Sequence, residues 1–350
     1  MESTAGELVL RTGSSAAAAM AAESVEHTLT ATAARLVFEG LAENTRAAYA
    51  HDWTKFIKWC TVTGRNALPA TGSTLTNYVA HLAEEKYAPS TIDRALACIL
   101  AAHDHAQLAK PNTKEARLAL RAYRREQARR GQRKRKSPPI TIDRLRSMIT
   151  ATPADTALGI RDRAVLVLGF ALMGRRSELA ACDIGDLTFT PDGLEVYIAT
   201  SKTDQDAHGE TVAIPYGSHP ETCPVRVLQA WLLLLAEHGI TTGALLRPVD
   251  RHGRIGDSAT RAGRGTGTRI TDQSINLIVK RAAAAAHLEK ADGYSAHGLR
   301  AGGATSAAKA GAPMSAITAH GRWAEGSPVV AGYIRQVDKW NDNPMRGVGL

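Results

Sequence analysis

The sequence predicts a mainly α protein with a small β hairpin or sheet, arranged as two domains. Three observations carry that prediction. Apolar residues recur at helical spacing through most of the chain, whereas only the stretch from 194 to 215 alternates with period two. A basic, Gly- and Pro-bounded segment at 131–139 separates two periodic regions. The 350 residues, 44% of them hydrophobic, suffice for two cores and exclude a disordered chain.

Residues 1–35, rich in Ala, Thr, Ser and Glu without a sustained period, read as a disordered tail. The first domain, 36–130, then reads as a helical bundle. Asn44 is expected to cap a helix that carries Tyr49, Trp53, Phe56, Ile57 and Cys60 and ends near Gly64. A second helix fits Ser73 to Lys86, with Leu75, Tyr78, Val79 and Leu82 on one side. A third fits Ser90 to Leu108, with Ile92, Leu96, Ile99 and Leu100 inward, and a fourth fits Thr113 to about Arg130.

Charge points toward a polyanion. The formal net charge is +9, and from Arg117 to Lys136 ten basic residues face a single acidic one, Glu126. Arg117, Arg121, Arg124 and Arg125 share a face of the fourth helix. A charged face is ordinarily just solvated. One so nearly of one sign repels itself unless phosphates neutralise it, which favours DNA contact. The linker 131–139, "GQRKRKSPP", is broken from helix by Gly131 and Pro138-Pro139. Its Arg133, Lys134, Arg135 and Lys136 are candidate phosphate contacts as well.

The second domain, 140–350, is helix-rich. Helices fit 142–150, 156–172, 175–181, 224–237, 271–287, 297–310, 314–320 and 327–336. "LEVYIAT" (194–200) and "ETVAIP" (210–215) form the hairpin, joined by a loop that carries Lys202. The stretch 251–269 is a Gly/Arg-rich loop whose five arginines suit either solvent or a DNA track.

Several classes are disfavoured. The longest apolar runs, 164–173 and 227–236, are ten residues each, too short to cross a bilayer. The acidic N-terminus lacks the basic and apolar regions of a secretory leader, so a cytoplasmic, nucleoid-associated location is expected. Cys60, Cys98, Cys182 and Cys223 lie far apart, as packed reduced thiols do, and the twelve histidines form no ligand motif.

The chemistry resides in an ordered constellation. "MGRRSEL" sets Arg175 and Glu178 three apart, "TSKTD" offers Lys202, and "SAHGLRAGG" sets His297 and Arg300 three apart. "GRW" supplies Trp323, and "VAGYIRQ" presents Tyr333 near the end of the chain. In order and wording these resemble the tyrosine recombinase (phage integrase) family, and within it the Cre-like members. "RRSEL" matches its Arg-x-x-Glu-Leu box, "HGLR" its His-x-x-Arg box, and Tyr333 its nucleophile segment. One departure stands out. Trp323 and Tyr333 are ten residues apart where the family usually has nine, and the extra residue is assigned to the loop "AEGSP" (324–328). Were the helix shifted instead, Ser315, Thr318 and Ser327 would be the other hydroxyls in reach.

The resemblance implies a helical core-binding domain and a catalytic domain that form a C-shaped clamp on duplex DNA. It implies a site-specific recombinase that works through a 3′-phosphotyrosyl link and a Holliday junction, as a homotetramer on paired sites. No metal or other cofactor is expected. The residue types fit. Two arginine forks, Arg175 and Arg300, suit the non-bridging oxygens of a phosphodiester under attack. His297 would take the Tyr333 proton, with nearby cations favouring the phenolate, and Lys202 would protonate the leaving oxygen. Trp323 is either a phosphate contact through its indole N–H or simply core. Glu178 is expected to orient the site. Trp340, in the tail 337–350, is expected to pack on a neighbouring subunit. Two alternatives share the fold: a type IB topoisomerase-like relaxing enzyme and a catalytically silent DNA-binding protein.

Overall fold

Helix α1 runs Glu43–Thr63, α2 Gly72–Glu84, α3 Pro89–His105 and α4 Lys114–Arg129. In this computed structural model the described residues are 40, 43–132, 137–199, 209–256, 268–338, 345 and 348. The chain forms two compact units, Met1–Lys134 and Arg135–Leu350. The expected tail 1–35, the basic residues 133–136, Lys202 and Trp340 lie outside the described residues.

In the first unit the predicted inward faces of α2 and α3 are buried at Leu75, Tyr78, Val79, Leu82, Ile92, Leu96 and Ile99. Thr71 caps α2 by accepting the Thr74 N–H at 3.2 Å, and Pro89 opens α3 at a position that needs no N–H. Phe56 meets Tyr78 with ring centroids 4.9 Å apart. Two expectations for α1 fail. The helix begins at Glu43, so Asn44 lies inside it rather than at its cap. Ile57 is exposed, because the buried stripe runs through Asp52, Phe56 and Cys60, one position round the helix. Asp52 belongs on that stripe because Arg94 of α3 reaches it from Nε at 2.7 Å.

The second unit begins with α5 (Ile142–Thr150), α6 (Ala157–Ala171) and α7 (Arg176–Ala181). A three-stranded antiparallel sheet follows: β1 Leu187–Phe189, β2 Gly193–Ile198 and β3 Glu210–Pro215, in the order β1-β2-β3. The hairpin β2–β3 pairs Val196 with Val212, as alternation demands. β1 was not anticipated; three residues are too few to show a period. Then come α8 (Pro224–Glu237), α9 (Asp272–Ala285), α10 (Ala296–Lys309), α11 (Met314–His320) and α12 (Pro328–Asp338).

Helix α6 is the axis of this unit. Ala164, Val165, Leu166, Val167 and Leu168 are all buried, which is why its sequence is apolar all round. One side packs with Trp231 of α8 and the sheet, the other with Leu145 and Met148 of α5 and Leu299 of α10. Trp231 is accommodated because its indole N–H donates to the Leu245 carbonyl at 2.8 Å. The four cysteines are free and buried.

Candidate active site

The C-terminal end of α6 turns sharply at Met173, with φ +46°, and delivers Arg175 to the start of α7. Glu178 sits one turn on, at the third helical position, where its carboxylate accepts the Arg175 backbone N–H at 2.8 Å. The same carboxylate accepts Arg175 Nη1 at 2.5 Å. Arg-x-x-Glu spacing thus closes on itself: the acid that starts the helix also holds the arginine side chain.

His297 and Arg300 lie in the first turns of α10, and its glycines let neighbouring backbone come very close. A Cβ at Gly302 would run into the Ile140 carbonyl, and one at Gly303 would stand 2.5 Å from that of Phe170. The Ile140 N–H donates to the Gly298 carbonyl at 2.8 Å. The glycine-rich wording after His297 is therefore a packing requirement.

Arg300 is buried. Its Nη1 donates to the Met173 carbonyl, and its Nη2 is buried with no hydrogen-bond partner among the described residues. The guanidinium carbon lies 3.8 Å from the Trp323 ring centroid. Burial, then the charges of Arg175 and Arg322, against the opposing charges of Glu178 and Tyr333, push Arg300 down to about 9. Among the described residues three guanidiniums, Arg175, Arg300 and Arg322, share the single carboxylate of Glu178 here.

Tyr333 Oη lies 3.0 Å from His297 Nε2. Its ring meets Trp323 edge-on at 6.2 Å. Beneath them a small cluster of Met173, Ala304, Ile317 and Val330 fastens α11 and α12 to α10. Residues 324–327 form the turn before α12, and Ser315 and Thr318 lie on α11. The ten-residue spacing is thus compatible with a phenol beside His297.

The electrostatics add burial to the expected effect of the cations. Burial raises the Tyr333 pKa, and Arg300, which favours the phenolate as expected, offsets this only in part, so the phenol keeps its proton in the DNA-free protein. Burial and Arg300 lower the His297 pKa, which keeps that imidazole neutral and able to accept a proton. For Glu178 burial pushes upward, but the Arg175 N–H, the Arg322 charge and the Arg175 side chain together hold the carboxyl below its usual value.

Arg175, Glu178, His297, Arg300, Trp323 and Tyr333 therefore share one region. Trp323, half-buried, stacks on Arg300, so it is neither simple core nor free surface. Two arginines have structural roles that their sequence context does not signal. Arg322 is buried and donates to Glu178 Oε2 at 2.9 Å; a lone arginine in "GRW" carries no signal of that. Arg269, from the Gly/Arg-rich loop, donates to the carbonyls of Ala180 at 2.9 Å and Cys182 at 3.2 Å, closing the C-terminal end of α7.

In the first unit Arg117, Arg121, Arg124 and Arg125 are exposed along α4. The face is not of one sign, however. Asp93 of α3 lies 2.9 Å from Arg124 Nη2 and 3.9 Å from Arg117 Nη1, a carboxylate that only the fold brings there.

Comparison with known proteins gives the same direction. Residues 36–106 match the phage integrase N-terminal SAM-like domain. The chain is 35% identical over 317 residues to an integrase/recombinase XerD homolog of Selenomonas ruminantium, covering 89% of this chain and 87% of that protein. Its fold is similar to that of the XerH site-specific recombinase bound to difH substrate, at 13% identity and a TM-score of 0.55, covering 91% of this chain and 84% of that one. It is likewise similar to lambda integrase (75–356) bound as a dimer to a core site, at 14% identity and a TM-score of 0.53, covering 85% and 91%.

Proposed function

Because the chain belongs to the tyrosine recombinase (phage integrase) family, we propose that it is a site-specific DNA recombinase whose nucleophile is Tyr333. The observation that carries this reading is the phenol oxygen 3.0 Å from His297 Nε2, beside the buried guanidinium of Arg300. Duplex DNA is its substrate. Arg300, through its unpartnered Nη2, and Arg175 bind the non-bridging oxygens of the scissile phosphate.

Tyr333 Oη attacks phosphorus, and its proton passes to neutral His297. A phenol raised in pKa by burial needs that base at the moment of attack. The bond to the 5′ oxygen breaks, leaving a 3′-phosphotyrosyl ester, and Lys202 protonates the departing oxygen. Trp323 supports Arg300 from the ring face. The free 5′ hydroxyl of a partner strand reverses the step, so no energy source is consumed. Two such exchanges pass through a Holliday junction on a homotetramer. Arg117, Arg121, Arg124 and Arg125, with residues 133–136, hold the flanking backbone.

The test starts with duplexes selected from a random library by binding, remade as nicked suicide substrates. The wild-type protein should become covalently attached to the 3′-phosphate end of the upstream fragment while the short downstream fragment leaves with a free 5′ hydroxyl, and Tyr333→Phe should abolish the adduct while leaving binding intact. An adduct persisting in Tyr333→Phe refutes the nucleophile. Efficient relaxation of supercoiled DNA that lacks the selected site would indicate a topoisomerase instead.

A further inference from the structure

Glu178 does not serve Arg175 alone. Its side chain is 2% exposed. Oε1 takes Arg175 Nη1, while Oε2 takes both the Arg175 backbone N–H and Nη2 of Arg322. Arg322 arrives from another part of the chain, the turn after α11. Its Nη1 donates to the His320 carbonyl at 3.0 Å, and Nη2 also reaches the Leu172 carbonyl at 3.3 Å. Its own carbonyl accepts Arg175 Nη2 at 3.3 Å. The result is a closed ring. Arg175 grips Glu178, Glu178 grips the Arg322 side chain, and the Arg322 backbone grips Arg175.

The backbone at this point is demanding. Arg322 has φ +55°, the left-handed region in which a residue with a Cβ is disfavoured. At Gly321, just before it, a Cβ would run into the Trp323 indole. This tight fold turns Arg322 inward to the α6–α7 junction and lays Trp323 over Arg300. Glycine suits such a conformation better. A long cation there is held by its fork, which reaches a carboxylate and two carbonyls together, as an ammonium does not.

We propose that Arg322 is a positioning residue: its bridge to Glu178 and the turn it locks together aim Arg175 at the scissile phosphate and seat Trp323 on Arg300. The inference rests on the recombinase reading and adds to it a residue that acts through Arg175 and Trp323 rather than on the reacting atoms.

Single-turnover cleavage of the suicide duplex tests it, with rate constant and final amplitude measured separately, alongside DNA affinity and the thermal midpoint. Misaimed forks slow the step, whereas mere unfolding lowers the amplitude. Arg322→Met should cut the rate constant about 10- to 100-fold with amplitude and affinity kept. Arg322→Lys should recover part of that loss. Adding Glu178→Gln to Arg322→Met should cost little more than the larger single loss, because both act through Arg175.

Wild-type rates in the Arg322 variants overturn the inference, as does a loss confined to amplitude and midpoint, or full additivity with Glu178→Gln. Should the Met variant not fold, Arg322→Lys decides: a folded Lys variant at the wild-type rate refutes the role. A wild-type protein that makes no adduct overturns the recombinase reading itself, which separates the two failures.

Discussion

Two buried carboxylates in the second unit each sit between two arginines, and they differ in what surrounds them. Asp162 takes Arg161 Nε at 2.7 Å on one oxygen and Arg281 on the other. Arg161 spends a further N–H on the Arg247 carbonyl at 2.9 Å. Glu178 sits between Arg175 and Arg322 in the same manner. There, however, a third guanidinium stands alongside, Arg300, with a buried Nη2 that no described residue accepts. In the first cluster every buried polar atom has a hydrogen-bond partner, although two guanidiniums face one carboxylate. Among the described residues the second keeps an excess of positive charge beside a phenol and an imidazole, which suits the anion binding proposed for it.

The sharpest way to break the comparison is to remove the acid from the first cluster. Asp162→Ala leaves the buried guanidinium of Arg161 without its carboxylate and should cost about 3–5 kcal/mol of stability by denaturant unfolding. The cleavage rate constant of the protein that remains folded should not change. Next in size is Arg300→Ala, expected to slow adduct formation about 10²- to 10³-fold by withdrawing a charged donor from the phosphate. Its unfolding midpoint should fall less than that of Asp162→Ala, because the lost Met173 hydrogen bond and Trp323 contact are offset by relief of a buried cation that burial, Arg175 and Arg322 disfavour. A large fall in stability would place Arg300 in the same class as Arg161.

A smaller effect is expected in the pH profile. Burial and Arg300 lower His297 below its ordinary value, so the neutral base persists as pH falls through 6.5. The acid limb of the cleavage rate should therefore have its midpoint below 6.5; a midpoint above that value would rule out His297 as the base. The mildest change tests the first unit. Asp93→Asn frees Arg117 and Arg124 from an exposed pair and should alter stability by less than about 1 kcal/mol. It should strengthen DNA binding and steepen its salt dependence, and an unchanged slope would argue that α4 does not touch phosphate.

Periodicity revealed most of the helices because a buried stripe must repeat, as Leu75, Tyr78, Val79 and Leu82 do. The pair Arg175–Glu178 was legible for a similar reason: both ends of the interaction lie within one helical turn. What stayed hidden came from between elements. Arg322 looks like any surface arginine until its turn is folded under α6, and Asp93 modifies α4 only because α3 packs beside it. Ile57 faces solvent although its spacing matches the core, since helix spacing alone does not say on which side of Phe56 the core lies. The upward shift of Tyr333 depends on burial, which residue types do not disclose.

The close approach of residues 138–140 to α10 has a mechanical consequence. With Pro138 and Ile140 pressed on Gly298 and Gly302, and Phe170 on Gly303, the helix has stops on two sides and no room to roll. His297 and Arg300 take their bearing from those stops. Putting one methyl group at 302 would rotate imidazole and guanidinium together, and so act as a double substitution at two positions whose identities are untouched.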